Sequence, residues 1–326
     1  MIRMTKKMAV TLSTAKNPCI CLLMLLALAA SPTFAQAPTG QVSGQAVYNL
    51  TAQLLQVAPK RFNGSPGHAA AEQFIKDHFK PEAAKGNLEV DSFTAGTPAG
   101  PQAMRNYIAK YPGKRDGIIV LVTHYETNWP LRDIAFVGAN DGACTTALLI
   151  EIGAYLRTHP PQGYSVWLVF DDGEESVTGD WSYQAQIDHT YGTRHLAAKW
   201  YADGTLKRVK ALLVADMIGD KDLGIVEEMG STPWLRALFR QAAVNTRHSE
   251  NVFKTQVTEE DDHIPFLQRG VPSLDVIDSD YGPHSAQMPD GYHHTAQDTL
   301  DKISAKSLQI SADLLLETIR LIDQQH

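Results

Sequence analysis

The stretch Val166-Trp-Leu-Val-Phe-Asp-Asp-Gly-Glu-Glu175 joins an apolar run to a cluster of acids. Residues 166–170 are almost wholly apolar, which predicts a strand buried on both faces. Four acids occupy positions 171, 172, 174 and 175, and Gly173 lets the chain turn as it leaves the strand. Carboxylates crowded in this way repel one another unless a cation or a proton lies among them. Because open α/β sheets place their sites at this end of the strands, the stretch predicts a functional site; the alternative is a solvated acidic loop.

Strand and helix patterns alternate along the chain on both sides of this stretch. Further strands are predicted at residues 88–93, 106–111, 118–123, 209–215 and 273–277. Helices are predicted at residues 46–57, 69–79, 148–156, 195–201, 232–244 and 305–322. Since the alternation is regular from residue 118 onward, the sheet should be parallel in its centre, with the first two strands as an antiparallel edge. The expected fold is therefore a three-layer αβα sandwich with a mixed, centrally parallel sheet.

The N-terminal segment has the pattern of a secretory signal. Residues 1–16 carry four bases and no acid, residues 20–30 are apolar, and small residues surround Ala35. The apolar run is too short to span a membrane. We therefore expect a signal peptide at 1–35, a Pro/Gly/Gln linker at 36–45 and a single domain at 46–326. The mature protein is expected to be periplasmic or secreted and outside the membrane; the alternative is an anchor that stays attached.

Charge and cysteine content limit which partners the protein can bind and whether a disulfide can stabilise it. The chain has 29 basic and 36 acidic residues, and removing the four bases of the signal leaves 25 against 36, or −11. An acidic chain without basic runs argues against nucleic acid or anionic lipid as a partner. Cys144 is the one cysteine after the signal segment, so no internal disulfide is expected. The remaining length, about 290 residues, is enough for one large domain with a sizeable core.

Acids and histidines recur in the loops that follow strands or precede helices: His124, Asp141, Glu175, Asp216 and His294. A mixed set of imidazole and carboxylate suits zinc, which takes about four ligands at roughly 2.0–2.2 Å and keeps one position open for catalysis. Each residue alone has a simpler interpretation. Asp141 could cap a helix, His124 could be a packed histidine, and Asp216 could cap or form a salt bridge. It is the combination that favours a metal site.

Several segments resemble those of a known family. The zinc-site segments of the family-28 metallopeptidases, the cocatalytic zinc aminopeptidases, resemble Gly138-Ala-Asn-Asp-Gly-Ala143, Asp172-Gly-Glu-Glu175, Ala215-Asp-Met-Ile-Gly219 and His294-Thr295. A more specific set resembles the zinc-type glutaminyl-peptide cyclotransferases: Gly64-Ser-Pro-Gly67, Trp181-Ser182, Tyr191-Gly-Thr-Arg-His-Leu-Ala197 and Asp261-Asp-His-Ile-Pro-Phe-Leu-Gln-Arg-Gly-Val-Pro272. The resemblance covers the chain from about Arg61 onward and implies a zinc aminopeptidase-like fold.

The resemblance implies a role for each residue of the site. One zinc ion would be held by Asp141, Glu175 and His294. Glu174 would be the general acid/base, Asp216 and Asp261 would hydrogen-bond around the reacting centre, and Trp181 would form part of the pocket wall. Asp216 and Asp261 would also crowd Glu174 and raise its pKa. The implied reaction converts the N-terminal glutamine of a peptide to pyroglutamate and releases ammonia.

Two other functions are left open by the sequence. In a two-zinc aminopeptidase, His124, Asp141 and Asp216 would help to hold a second metal ion. In a zinc-stabilised binding ectodomain, the site would be inactive.

This sequence also departs from the family pattern. Glu126 stands where both branches usually have Asp, and His293, a competing ligand candidate beside His294, stands where cyclotransferases have Trp. The loop 279–291 looks longer than usual, and Cys144 has no partner for the disulfide of the animal enzymes.

Overall fold

The computed structural model describes residues 42–179 and 187–325. The predicted signal peptide, most of the predicted linker and Trp181 lie outside the described residues. Residues Pro38–His326 belong to one compact unit. Within the described ranges, no helix is both long enough and apolar enough to cross a membrane.

The main sheet has six strands in the order β1-β2-β4-β3-β5-β8. Strands β3, β4, β5 and β8 are mutually parallel, whereas β1 pairs with β2, and β2 with β4, in antiparallel fashion. This confirms the predicted mixed sheet with a parallel centre and an antiparallel edge. The strands are β1 Leu88–Thr97, β2 Gly100–Tyr111, β3 Ile118–His124, β4 Ser165–Asp171, β5 Val209–Asp216 and β8 Ser273–Ile277.

Helices cover both faces of this sheet, as a three-layer sandwich requires. Alternate side chains of β3 belong to two separate apolar clusters, with Ile119 and Leu121 in one and Val120 and Val122 in the other. Helices α1, α4, α6 and α8 pack into the first cluster, and α5 and α7 pack into the second. The helices are α1 Gly44–Val57, α2 Pro66–His78, α3 Lys80–Ala83, α4 Cys144–Thr158, α5 Tyr191–Asp203, α6 Pro233–Thr246, α7 Ile264–Leu267 and α8 Ala305–Gln324.

Some predicted boundaries were wrong, and two strands were missed. Helix α2 begins three residues early because the Ser65 hydroxyl caps it, accepting the His68 N–H at 2.9 Å. Helix α5 begins at Tyr191 rather than at residue 195. The missed strands, β6 Ile225–Glu228 and β7 Val252–Val257, form a separate two-stranded parallel sheet. Both are short and pair with a distant segment, so hydrophobic alternation alone did not identify them.

The parallel strands bring polar residues to one edge of the sheet. His124, Asp171 and Asp216 are the last residues of β3, β4 and β5. In the register of the sheet, His124 is the partner of Asp171. Since parallel strands end at the same edge, the loops that follow them converge there, and this edge carries the site.

Candidate active site

The turn after β4 separates the four acids of the opening stretch. Gly173 has a φ of 79°, and a Cβ at this position would lie 2.7 Å from the Met104 sulfur. The positive φ favours glycine at this position, and a larger residue would also displace the Met104 side chain. Beyond the turn, Glu174 and Glu175 line a cavity of about 570 Å³.

The two acids before the turn do not line this cavity. Asp172 lies 2.9 Å from His68 Nε2 and accepts the Arg105 N–H at 2.8 Å, so it ties α2 and β2 to the end of β4. Asp171 is fully buried, and burial together with the neighbouring Asp262 raises its pKa well above the usual range. The predicted repulsion within the acid cluster is thus reduced by separation of the four acids, and the raised pKa of Asp171 favours its neutral form.

The three predicted zinc ligands converge in the cavity. His294 Nε2 lies 3.0 Å from Glu175 Oε1 and 3.5 Å from Asp141 Oδ2. Asp141 and Glu175 are each 3% exposed, and among the described residues Asp141 Oδ2 has no hydrogen-bond partner. A buried carboxylate oxygen without a donor is costly unless a cation compensates it. The donor set of one imidazole nitrogen and two carboxylates fits zinc.

Asp141 is directed at the cavity by the turn that precedes α4. It does not cap that helix, which begins at Cys144 without a side-chain cap. Asp298 fixes the turn by accepting the N–H groups of Asn140 at 2.8 Å and of Asp141 at 3.2 Å. Gly142 has a φ of 85°, and a Cβ there would lie 2.8 Å from the His124 ring. Asp298 was missed from the sequence, because its contacts come from 158 residues away.

Arg61 holds the loop that leads into this turn. Its guanidinium donates to the carbonyl oxygens of Tyr125 and Val137 at 2.8 Å and of Gly138 at 3.0 Å. The side chain is fully buried, and burial lowers its pKa to about 10. The guanidinium remains charged at neutral pH, so these hydrogen bonds to backbone carbonyls are charge-assisted.

Two further residues orient Glu175. Asn128 Nδ2 donates to Glu175 Oε2 at 2.7 Å, and Glu126 Oε1 accepts the Glu175 N–H at 3.1 Å. Glu126, noted above as a departure from the family pattern, therefore contacts the backbone of a candidate ligand. Asn128 was missed, because a single asparagine in a loop carries no signal of its own.

A backbone hydrogen bond joins the two ends of the loop that precedes His294. The Tyr292 N–H donates to the Tyr281 carbonyl at 2.8 Å, and the Tyr281 hydroxyl donates to Asp298 at 2.7 Å. His294 itself has a φ of 54°, a conformation that is uncommon for a residue other than glycine. Burial alone would lower the pKa of His294, but the carboxylates of Glu175 and Asp141 raise it to about 9.

A second cluster adjoins the first through Asp141. His124 Nε2 lies 3.2 Å from Asp141 Oδ1 and 3.3 Å from Asp216 Oδ1. Within the described part of the chain, neither ring nitrogen of His124 has a well-aligned hydrogen-bond partner. Burial lowers the pKa of His124, but Asp141 and Asp216 together raise it well above its usual value. The cluster thus fits either a protonated His124 paired with both acids or a second cation.

Glu174 has the environment of a proton-transfer group. It is 7% exposed and lines the cavity together with Asp216 and Asp261. Burial is the main cause that raises its pKa well above the usual range, with Glu175 and Asp261 adding to the effect. The predicted crowding by acids therefore contributes less than desolvation does. The pKa of Asp261 is itself raised to about 6, by burial and by Asp216.

The comparisons with known proteins identify the family. Residues 106–319 match peptidase family M28. A glutaminyl-peptide cyclotransferase of Bothrops jararaca is 30% identical over 285 residues, which cover 77% of this chain and 76% of the relative. The chain belongs to peptidase family M28, in its glutaminyl-peptide cyclotransferase branch. The predicted family and enzyme class are thereby confirmed.

Solved structures support the same placement. An Acidobacteriales bacterium glutaminyl cyclase of known crystal structure is 66% identical in sequence to this chain. The two structures align with a TM-score of 0.86 over 91% of this chain and 100% of the other. A Zn-dependent exopeptidase from Parabacteroides distasonis, 19% identical with a TM-score of 0.73 over 87% of this chain and 99% of its own, shares the fold. The aminopeptidase alternative is thus supported only at the level of the family. The family and the donor set of Asp141, Glu175 and His294 together indicate a metal cofactor.

Proposed function

We propose that the enzyme converts the N-terminal glutamine of peptides to pyroglutamate with release of ammonia, using one zinc ion held by Asp141, Glu175 and His294. The observation that carries this proposal is that His294 lies 3.0 Å from Glu175 and 3.5 Å from Asp141, beside the buried Glu174 in one cavity. The cavity volume of about 570 Å³ suits the end of a peptide chain.

Glu174 carries the proton in this reaction. The α-amine nitrogen of the substrate attacks the γ-carbonyl carbon, so a C–N bond forms in the ring and the side-chain amide C–N bond breaks. Glu174 takes the proton that the amine loses and delivers it to the departing nitrogen, which leaves as ammonia. A bound zinc ion would polarise the γ-carbonyl and stabilise negative charge on its oxygen. The pKa of Glu174, which burial raises above the usual range of a carboxyl group, suits a group that must both accept and donate a proton.

The second cluster decides how many metal ions we expect. We assign one ion, because a protonated His124 would pair with both Asp141 and Asp216, through contacts of 3.2 and 3.3 Å, and would offset part of their negative charge. The ligand atoms of His124, Asp141 and Asp216 lie within 4.8 Å of one another, which also favours the alternative of a two-zinc aminopeptidase. Asp216 and Asp261 are proposed to hold substrate and Glu174 in place by hydrogen bonds. Trp181 is proposed to form part of the pocket wall.

One assay pair separates these functions. Purified enzyme should convert a Gln-initiated peptide to its pyroglutamyl form with loss of ammonia, and should leave a leucine arylamide intact. Elemental analysis should find one zinc per chain. Hydrolysis of the arylamide together with two zinc ions would instead support the aminopeptidase, and a zinc-containing protein without either activity would support the binding ectodomain.

The charge of the cavity predicts which peptides are preferred. Eight of its lining residues are acids, and none is Lys or Arg in the part of the chain that the structure describes. Glu259, Glu260 and Asp290 lie at its more exposed side. Such a field attracts cations and is weakened by salt. At low ionic strength we expect kcat/KM to be about tenfold higher for Gln-Gly-Lys than for Gln-Gly-Glu.

Two variants and salt test this preference. Glu259→Gln combined with Glu260→Gln should reduce the preference for Gln-Gly-Lys, as should high ionic strength. The matched control is Asp222→Asn, which removes an exposed acid outside this cavity and should leave the preference unchanged. Equal kcat/KM for both peptides at low salt would contradict the proposed role of the rim acids.

We also propose that residues 1–35 are a signal peptide, that residues 36–45 are a linker, and that the mature enzyme acts in the periplasm or outside the cell. The support is the basic, apolar and small-residue order of the segment. The N-terminal sequence of the protein recovered from its native compartment checks this, and an intact Met1 there would contradict it.

A further inference from the structure

His293 lies next to the proposed metal ligands. Its ring centroid is 3.8 Å from that of His294, and its Nε2 is 4.0 Å from Asp141 Oδ2. The ligand atoms of Asp141, His293 and His294 all lie within 4.8 Å of one another. Asp141 Oδ2, which has no hydrogen-bond partner among the described residues, is therefore flanked by two imidazoles, of which the proposed metal centre uses one.

Two separations from Asp141 Oδ2 come close to those of a tetrahedral ligand set. Four ligand atoms at zinc–ligand distances of 2.0–2.1 Å lie about 3.4 Å from one another. The observed separations from Asp141 Oδ2 are 3.5 Å to His294 and 4.0 Å to His293. The His293 side chain is 34% exposed, whereas that of Asp141 is 4% exposed. The histidine is thus the more exposed of the two, and a shift of its side chain would close the remaining gap.

We propose that His293 is a fourth protein ligand to the ion when no substrate is bound, and that it gives way when a substrate enters. The inference rests on the proposed metal centre of Asp141, Glu175 and His294. A catalytic zinc site with three protein ligands keeps its fourth position open, whereas a site with four is closed. His293 therefore has two consequences: it retains the ion more tightly, and it competes with the substrate for the same position.

The test compares His293→Ala with His284→Ala, which removes an exposed imidazole that lines the same cavity. The zinc Kd, measured by competition with a chromophoric chelator, should rise at least tenfold in His293→Ala and remain unchanged in His284→Ala. In the Co²⁺-substituted proteins, the visible absorption bands of His293→Ala should differ from those of the wild type. KM for a Gln-initiated peptide should fall in His293→Ala, since the substrate no longer displaces a side chain.

Several readouts keep the inference separate from the proposed function. The melting temperature of each metal-free variant checks folding, and His293→Gln provides a second variant of similar size. Unchanged zinc Kd and unchanged Co²⁺ spectra in both His293 variants would overturn the inference while leaving the three-ligand centre intact. If the wild type itself failed to bind zinc or to cyclise a Gln peptide, the proposed function would fail instead. A lower KM without any change in Kd or spectrum would also overturn the inference, because it would place His293 in the substrate's path but off the metal.

Discussion

Glu174→Gln is expected to retain stoichiometric zinc and to lose about 10²- to 10⁴-fold in kcat, the contribution that a positioned general acid–base makes. The amide keeps the shape of the side chain but cannot take a proton from the substrate amine. Zinc should remain because Glu174 is not among the three proposed ligands, although it is adjacent to Glu175 in the chain. The measurements are kcat for a Gln-initiated peptide and zinc content by elemental analysis.

The matched control for this variant is Glu260→Gln. Glu260 lines the same cavity, but its side chain is 39% exposed and it lies outside the buried cluster. The control should keep kcat for a neutral Gln peptide within a few-fold of the wild type, because an exposed charge contributes little. If Glu174→Gln kept wild-type kcat, Glu174 would be removed from the mechanism.

Asp141→Ala is expected to lose both zinc and activity. Asp141 is buried and supplies one oxygen toward His294, at 3.5 Å, and the other toward His124, at 3.2 Å. Removing it takes away a ligand of the proposed centre and also leaves the buried His124 with one carboxylate fewer. We therefore expect less than a tenth of the wild-type zinc content after dialysis, and no detectable cyclisation.

Asp290→Ala is the matched control for this loss. Asp290 is an exposed acid that lines the same cavity and lies shortly before the proposed ligand His294 in the chain. Its replacement should leave zinc content and kcat for a neutral Gln peptide unchanged. The far-UV circular dichroism of metal-free Asp141→Ala should match that of the metal-free wild type, which would separate loss of a ligand from unfolding. Stoichiometric zinc in Asp141→Ala would show that the ligand assignment is wrong.

The order of strands and helices could be predicted because it depends on local patterns. The apolar run at 166–170 is buried on both sides of the sheet, as β4, and the early strands form the antiparallel edge. The sequence also provided the residue types that a zinc site needs, at the ends of strands and in the loops beyond them. Boundaries were less accurate, because the Ser65 cap and the start of α5 lie outside the apolar repeats.

The residues that hydrogen-bond to the proposed metal ligands could not be predicted from the sequence. Asn128 and Glu126 reach Glu175 across 47 and 49 residues, and Asp298 reaches the turn at Asp141 across 157. Asn128 and Asp298 are ordinary polar residues within their own segments, and Glu126 was noticed only as a departure from the family pattern. Their roles depend on how distant loops meet at the edge of the sheet, which no local pattern encodes.

The sequence by itself determined the fold class, the family and the types of side chain that could bind a metal ion. The resemblance implied site roles for Glu174 and Glu175, but only the tertiary structure decided where the other two acids of the opening stretch lie. The turn at Gly173 directs Glu174 and Glu175 into the cavity, while Asp172 pairs with His68 on the other side. The physical reason is that side-chain direction is set by strand register and backbone turn, whereas charge and spacing along the chain are the same for all four acids.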